Sequence, residues 1–204
     1  MGEYEKALAD IDLIRSRMAA STTFRGFGPA ALAATSGIAL VVAGVQTTML
    51  AEPMREPGVF FAGWIVAAIV AVLLIGAEVI VRARRHHGGL ADAMIHNAIG
   101  QFLPAGAAGL ALAAILGRFA PDAVWTLPGL WQILVSLGLF AAAPSLPRGS
   151  LLASGWYFLS GCTVLMLAAQ GPSLSPWMMG VPFAVGQSIL AAVVFRGPGD
   201  AHGR

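Results

Sequence analysis

Charged residues are scarce in this chain. Only 11% of its 204 residues are Asp, Glu, Lys or Arg, whereas about a quarter of the residues of a soluble domain are charged. The sequence has one lysine, Lys6, and one cysteine, Cys162. The single cysteine excludes an intrachain disulfide, and the position of the lysine excludes a retinal Schiff base within an apolar bundle.

Recognisable catalytic motifs are also missing from the sequence. There is no GxSG-type nucleophile with a histidine in a late apolar run, no HExxH, no pair of cysteines and no glycine-rich phosphate loop. The N-terminus begins with seventeen polar and mixed-charge residues and does not have the pattern of a signal peptide. The sequence therefore does not decide whether the protein is an enzyme, although the missing motifs argue against it. We predict no catalytic residues.

What the chain has in abundance is hydrophobic sequence, which makes up 57% of its residues. Apolar runs near twenty residues are long enough to cross a hydrocarbon core of about 30 Å as helices. Six such runs are predicted: Pro29 to Leu50, Val59 to Val81, Gln101 to Phe119, Trp125 to Ala143, Leu151 to Gln170 and Ser175 to Phe195. The predicted fold class is all-α, a polytopic membrane protein with six transmembrane helices.

The predicted organisation has three parts. Residues 1–28 form a cytoplasmic amphipathic helix and a juxtamembrane segment, residues 29–196 form the six-helix bundle, and residues 197–204 form a cytoplasmic tail. No soluble domain fits into what remains outside the apolar runs.

The basic residues predict the orientation of the chain, because cytoplasmic loops of membrane proteins carry an excess of Lys and Arg. Ten basic residues fall on the side that holds both termini, and two, Arg55 and Arg118, fall on the other side. We therefore predict N-in and C-in topology in a bacterial inner membrane, with Arg82, Arg84 and Arg85 as topology anchors. Since the basic residues follow loop parity, direct nucleic-acid binding is not expected.

Residues 4–18 carry the pattern of an amphipathic helix ahead of the first span. Apolar residues recur there at spacings of three and four, which places them on one helical face: Tyr4, Leu8, Ile11, Ile14 and Met18. The polar face is not rich in Lys and Arg, as a helix that binds anionic lipid would be. Docking onto the protein's own loops and docking onto a cytoplasmic protein partner are both open.

Three polar side chains are predicted to lie within the membrane: Glu78, Gln132 and Gln187. Such groups are expensive to bury and therefore suggest a function. Glu78 can pair with Arg82 one helical turn later or handle protons. Gln132 and Gln187 are expected at similar depths, either as hydrogen bonds between helices or as the lining of a solute site.

Prolines within four of the runs support a second hypothesis, a transporter or channel for a small solute or ion. Proline can interrupt a membrane helix and free backbone carbonyls that line a path. These prolines fall in the first third or so of their runs: Pro104, Pro128, Pro176 and Pro182.

A polar cluster follows the second run in the stretch RARRHHGGLADAMIHNAIG, residues 82–100. Its candidate ligands are His86, His87, Asp92 and His96, and imidazole with carboxylate suits zinc, iron or nickel. No cofactor is predicted outright, but His86, His87 and His96 could hold a metal or a haem at the cytoplasmic rim. The competing interpretation is a solvated anchor for the loop.

Four phrases of the sequence resemble a family of small six-helix proteobacterial inner-membrane proteins with no assigned activity. They are FRGFGPAALAAT (24–35), QFLPAGAAGL (101–110), LPGLWQILVSLG (127–138) and LSPWMMGVPFAVGQ (174–187), and the resemblance covers nearly the whole chain. It implies the six-helix fold and, because members lie beside small winged-helix regulators, a cytoplasmic protein partner. It implies no functional residues.

The sequence thus favours a membrane protein that binds, senses or regulates through a cytoplasmic partner at residues 4–18. The alternatives are the transporter or channel and, third, a metal- or haem-binding membrane protein. Beyond the lipid bilayer and this partner, the sequence predicts no ligand and no oligomeric state.

Overall fold

The computed structural model describes residues 28–86, 91–147 and 149–196, without the side chains of residues 82–99 and of Ser145. Every regular element in these ranges is helical, and six of the helices are long and apolar enough to span a membrane. They are α1 (Pro29–Met49), α2 (Pro57–His86), α3 (Ala91–Phe119), α4 (Leu127–Ala142), α5 (Ser150–Gln170) and α6 (Trp177–Phe195). The prediction of an all-helical, multi-pass membrane protein is confirmed at this level.

Most predicted span boundaries agree with the helices to within two residues, but two helices continue beyond their apolar runs. α2 extends five residues past Val81, and α3 begins ten residues before Gln101. The fourth span also begins differently, since a 3₁₀ helix, Pro121–Thr126, leads into α4. The 3₁₀ segment and α4 together form one apolar stretch, Pro121–Ala142.

Consecutive helices are antiparallel and close into a ring. Each helix packs against its neighbours in the chain, and α6 returns to pack along α1. We call the end of the bundle at which α1 begins the Gly28 end, and the end at which α1 finishes the Leu50 end. The most extensive contacts are α4 with α5 and α1 with α6.

Small residues allow the closest of these contacts. A Cβ on Gly129 of α4 would meet the backbone carbonyl of Gly161 on α5, and the reverse holds for Gly161. On α6, a Cβ on Gly180 would meet Ala43 of α1. Glycine at these positions brings the backbones together, as is common between membrane helices.

Two helices are less well packed than the other four. In an 18-residue window, 17% of α2 and 6% of α3 are buried, against 33 to 44% in α1, α4, α5 and α6. We call α1, α4, α5 and α6 the body and α2 with α3 the outer pair. Near the Leu50 end the outer pair joins the body through an aromatic cluster in which Phe61 packs edge-on against Trp131, 5.5 Å between ring centroids.

Candidate functional sites in the helix bundle

Glu78 of α2 caps the N-terminus of α1. The backbone N–H of Ala31, the third residue of α1, donates to Glu78 Oε2 at 3.0 Å. The first N–H groups of a helix have no partner within it, and the positive end of the helix dipole favours an anion. Glu78, 47 residues after Ala31 in the chain, thus accepts the hydrogen bond that the side chain of an N-cap residue usually accepts.

Gly28, the residue before α1, makes room for this carboxylate. It is buried, and a Cβ built on it would overlap the Glu78 carboxylate. The side chain of Arg82, the predicted partner of Glu78, lies outside the described residues, so that pairing stays a prediction. The contact of Glu78 with α1 was not predicted, because no pattern in the sequence links the two segments.

Gln46 of α1 joins the same two helices at the Leu50 end. Its Nε2 donates to the carbonyl of Phe60 at 2.8 Å, and Gly63 leaves space for the amide against α2. α2 is therefore bonded to α1 at both ends. The sequence analysis did not single out Gln46, although it shares a helical face with the buried Ala39 and Ala43.

Gln132 of α4 bonds to α6 at a carbonyl that a proline has freed. Pro182 has no N–H, so it cannot donate to the carbonyl of Met178 one turn earlier. Gln132 Nε2 donates to that carbonyl at 2.8 Å, and its residue is fully buried. The amide therefore forms a hydrogen bond between α4 and α6, which is one of the two roles predicted for it.

Three further side chains donate to carbonyls of α6 one turn after Met178, at residues 182 to 184. Trp156 Nε1 donates to Pro182 at 2.9 Å, the Tyr157 hydroxyl to Phe183 at 3.4 Å, and Ser36 Oγ to Ala184 at 2.8 Å. These donors come from α5 and α1. The segment of α6 around Pro182 thus receives side-chain hydrogen bonds from each of the other three helices of the body.

Gln187 lies deeper than Gln132, contrary to expectation. Gln132 is level with Met178, and Gln187 follows nine residues later in α6, about 13 Å along the helix axis. α4 and α6 both begin at the Leu50 end, but Gln132 is closer to the beginning of α4 than Gln187 is to the beginning of α6. The Gln187 side chain interacts with the Tyr157 hydroxyl instead.

Three buried amide oxygens receive no hydrogen bond from the described part of the chain. They are the Oε1 atoms of Gln46, Gln132 and Gln187. The orientation of two of the amides is certain on chemical grounds, because Gln46 and Gln132 must turn nitrogen toward a carbonyl oxygen. In Gln46 and Gln132 the buried Oε1 is therefore available to a further group as a hydrogen-bond acceptor.

Serines of α4 and α5 continue the polar line toward the Gly28 end. Ser136 Oγ donates to the carbonyl of Ser154 at 2.8 Å, and Ser154 Oγ to that of Ser150 at 3.2 Å. All three residues are fully or almost fully buried. We call these three serines, Gln132, Tyr157 and Gln187 the polar seam. Each of its hydroxyl groups donates to a backbone carbonyl, and that of Ser150 donates to Pro147 in the connection before α5.

The prolines differ in their effect on the helices. Pro182 and Pro104 lie inside α6 and α3. Pro128 is in the first turn of α4, and Pro176 precedes α6, positions at which a missing N–H costs nothing. Pro104 and Pro182 are therefore the two of these prolines that lie where they can free a carbonyl inside a helix, as the transporter hypothesis requires.

The polar cluster after α2 lies outside the described side chains. His86, Asp92 and His96 have a described backbone only, and His87 is outside the described ranges, as is the predicted helix over residues 4–18. Among the side chains that are described, no three His, Cys, Asp or Glu residues come together in a way that could hold a metal. The metal and haem hypothesis rests on the cluster itself and stays a prediction.

Comparison with known proteins finds no matching family model, no matching curated protein and no matching solved structure. The arguments about function therefore rest on the arrangement of the helices and their polar contacts.

Proposed function

We propose that this protein is a regulatory or sensing protein of the bacterial inner membrane that binds a cytoplasmic protein partner at its Gly28 end. In this proposal both termini are cytoplasmic, residues 4–18 form the docking helix, and the outer pair is the element that responds to binding. The observation that carries the proposal is the unequal packing of the six helices.

The body and the outer pair differ in how firmly they are held. Within the body, close glycine contacts and the donors around Pro182 bond the helices to each other. The outer pair buries fewer residues and is joined to the body by the bonds of Glu78 and Gln46, with Trp131 Nε1 donating to Gly109 of α3 at 3.0 Å. Elements with few buried contacts are those that move at low cost.

The Glu78 contact lies at the end where we place the partner. Glu78 is half-buried and lies four residues before the first arginine of the cluster 82–100. Its carboxylate holds α2 to the first turn of α1, and residues 1–27 precede that turn in the chain. Binding to the N-terminal segment can therefore reach α2 through this one carboxylate. In this proposal α2 is either held to α1 by Glu78 or released from it. A partner shifts the balance between these two states by the difference in its affinity for them.

The experiment that tests this function compares two faces of the predicted helix. The full-length protein is purified in mild detergent beside Ile11→Asp, on the apolar face, and Ala9→Asp, on the opposite face. We expect a defined partner to co-purify with the wild type and with Ala9→Asp and to be lost from Ile11→Asp, while all three insert into the membrane equally. Equal recovery from both variants would exclude this docking face.

A second function, transport of a small solute or ion, is favoured by one observation. The polar seam crosses much of the body, and Gln132 and Gln187 leave acceptor oxygens in it. A solute that donates hydrogen bonds, such as an ammonium ion, would suit those acceptors. Flux into reconstituted vesicles should then fall in Gln187→Leu, and a flux indifferent to that change counts against the seam as a path.

A further inference from the structure

Two buried polar atoms near the Leu50 end have no hydrogen-bond partner among the described residues. One is the amide oxygen Oε1 of Gln46 in α1, and the other is the indole nitrogen Nε1 of Trp64 in α2. Their residues are only 7% and 4% exposed. Buried polar groups are nearly always hydrogen-bonded, either to protein or to an ordered water molecule, so each of these atoms calls for a partner.

The Gln46 amide lies against the turn of α2 that leads to Trp64. Its Nε2 donates to the carbonyl of Phe60 at 2.8 Å, and in an α-helix that same carbonyl accepts the backbone N–H of Trp64, four residues later. A Cβ on Gly63, the residue before Trp64, would lie 2.5 Å from Gln46 Nε2. The amide is therefore within one helical turn of the Trp64 backbone.

The Trp64 indole leans toward the amide. Side chains of an α-helix point back toward its N-terminus, and α2 begins at the Leu50 end, where Gln46 lies. Trp64 shares a face of α2 with Phe60, and it belongs to the same buried core as Ala43, one turn before Gln46 in α1. The free nitrogen and the free oxygen thus belong to neighbouring side chains in one buried layer.

The two atoms are chemically complementary. An indole Nε1–H can only donate a hydrogen bond, and an amide oxygen can only accept one. They do not bond to each other, so a molecule that joins them must accept from Trp64 and donate to Gln46. A water molecule does both, and with bonds of ordinary length it links a donor and an acceptor about 4.5 to 5 Å apart. Two such partners are sufficient for a buried water.

We propose that a water molecule is bound between α1 and α2, accepting a hydrogen bond from Trp64 Nε1 and donating one to Gln46 Oε1. Together with the direct bond from Gln46 to Phe60, it holds α2 to α1 at the Leu50 end. This site is independent of the partner proposed for the Gly28 end, and neither proposal requires the other.

Solid-state NMR tests the site on the full-length protein in phospholipid vesicles, by measuring transfer of magnetisation from water protons to indole N–H groups. The Trp64 signal is assigned as the one missing from the spectrum of Trp64→Phe. We expect transfer to Trp64 at short mixing times. Trp131 and Trp156 are internal controls and should receive none at those times, because their indole N–H groups donate to the carbonyls of Gly109 and Pro182.

A variant tests the role of the amide. Gln46→Met removes the amide and keeps the length of the side chain, so transfer from water to Trp64 should be lost. Gln187→Met is the matched control and should leave the transfer unchanged. Gln187 precedes Ser188, which lies beside Ser36 of α1, ten residues and therefore about 15 Å along the helix from Gln46.

Each other outcome overturns the proposal. Absence of transfer to Trp64 in the wild type excludes a bound water there, and this comparison still decides the matter if Gln46→Met does not fold. A Trp64 signal that shifts in Gln46→Met but never receives magnetisation from water indicates a direct bond between indole and amide. Transfer that survives in folded Gln46→Met shows that the amide does not hold the water.

Discussion

The amide of Gln132 takes the place of the hydrogen-bond donor that Pro182 removes from α6. Gln132 Nε2 lies 2.8 Å from the carbonyl of Met178, the group to which residue 182 would donate if it were not proline. Two residues 50 positions apart are thus complementary: the proline creates an unpaired carbonyl in an apolar environment, and the glutamine pairs it.

This relationship predicts a coupling between the two positions. Gln132→Leu should lower the free energy of unfolding by about 1 to 2 kcal/mol, because the Met178 carbonyl is left without its side-chain donor. In a Pro182→Ala background the backbone N–H can restore that bond, so the same substitution should cost about 1 kcal/mol less. Unfolding in mixed micelles measures all four proteins of the cycle, and strictly additive changes would refute the pairing.

The Glu78 cap predicts a local change at the start of α1. Glu78→Ala should speed hydrogen exchange of the Ala31 amide, and Glu78→Gln, which keeps an acceptor but loses the charge, should have a smaller effect. Gly28→Ala should resemble Glu78→Ala, since its Cβ would displace the carboxylate.

Gly37→Ala is the control for that experiment, because a Cβ at position 37 of the same helix meets nothing within 4 Å. Exchange at Ala31 should be the same in Gly37→Ala and in the wild type. If Gly28→Ala also leaves exchange unchanged, the carboxylate does not depend on this glycine.

The contact between α4 and α5 predicts different costs for two glycines of one helix. Gly161→Ala should destabilise the protein by about 1 to 3 kcal/mol, because its Cβ would press on the backbone carbonyl of Gly129, which cannot move aside without shifting α4. Gly155→Ala meets nothing within 4 Å and should be neutral or stabilising. Equal unfolding midpoints for the two variants would contradict the close approach.

The predicted topology can be tested with single cysteines in a Cys162→Ser background. Asp122→Cys lies at the Leu50 end, and Arg148→Cys lies in the connection between α4 and α5. An impermeant maleimide applied to intact spheroplasts should label the first and should label the second only after lysis. The reverse pattern would place both termini outside.

The metal and haem hypothesis for His86, His87 and His96 has a direct measurement. Elemental analysis and an absorption spectrum of the purified protein report bound metal or haem. If either is present, His96→Ala should lower its occupancy about tenfold or more, because each ligand is needed to complete the site. His202→Ala, in the C-terminal tail, is the control and should leave occupancy unchanged.

Much of the architecture could be predicted because it depends on local composition. An apolar run near twenty residues becomes a helix in a membrane whatever its neighbours are, since its backbone groups must bond within the segment. α1 therefore begins at Pro29, as predicted, and α5 ends at Gln170. The extension of α2 to His86 was missed, because there the chain stays helical after the apolar run has ended.

The functions of individual polar side chains were harder to predict. Glu78, Gln132 and Gln187 were identified as polar residues within spans, and this is a property of the sequence. The prediction of similar depths for the two glutamines was wrong, because depth depends on how the helices are aligned: Gln132 bonds to Met178, one residue into α6, whereas Gln187 lies ten residues into α6.

The sequence by itself determined that the helices suit an apolar environment, how many spans there are and, to within a few residues for most of them, where each begins and ends. It could do so because burial in a bilayer acts on each segment separately. The tertiary structure alone decided that Gln132 pairs the carbonyl freed by Pro182, that Glu78 caps α1, and that α6 closes the ring against α1. These contacts join residues 46 and more positions apart. Their partners are fixed by how the helices pack, and no local pattern encodes that packing.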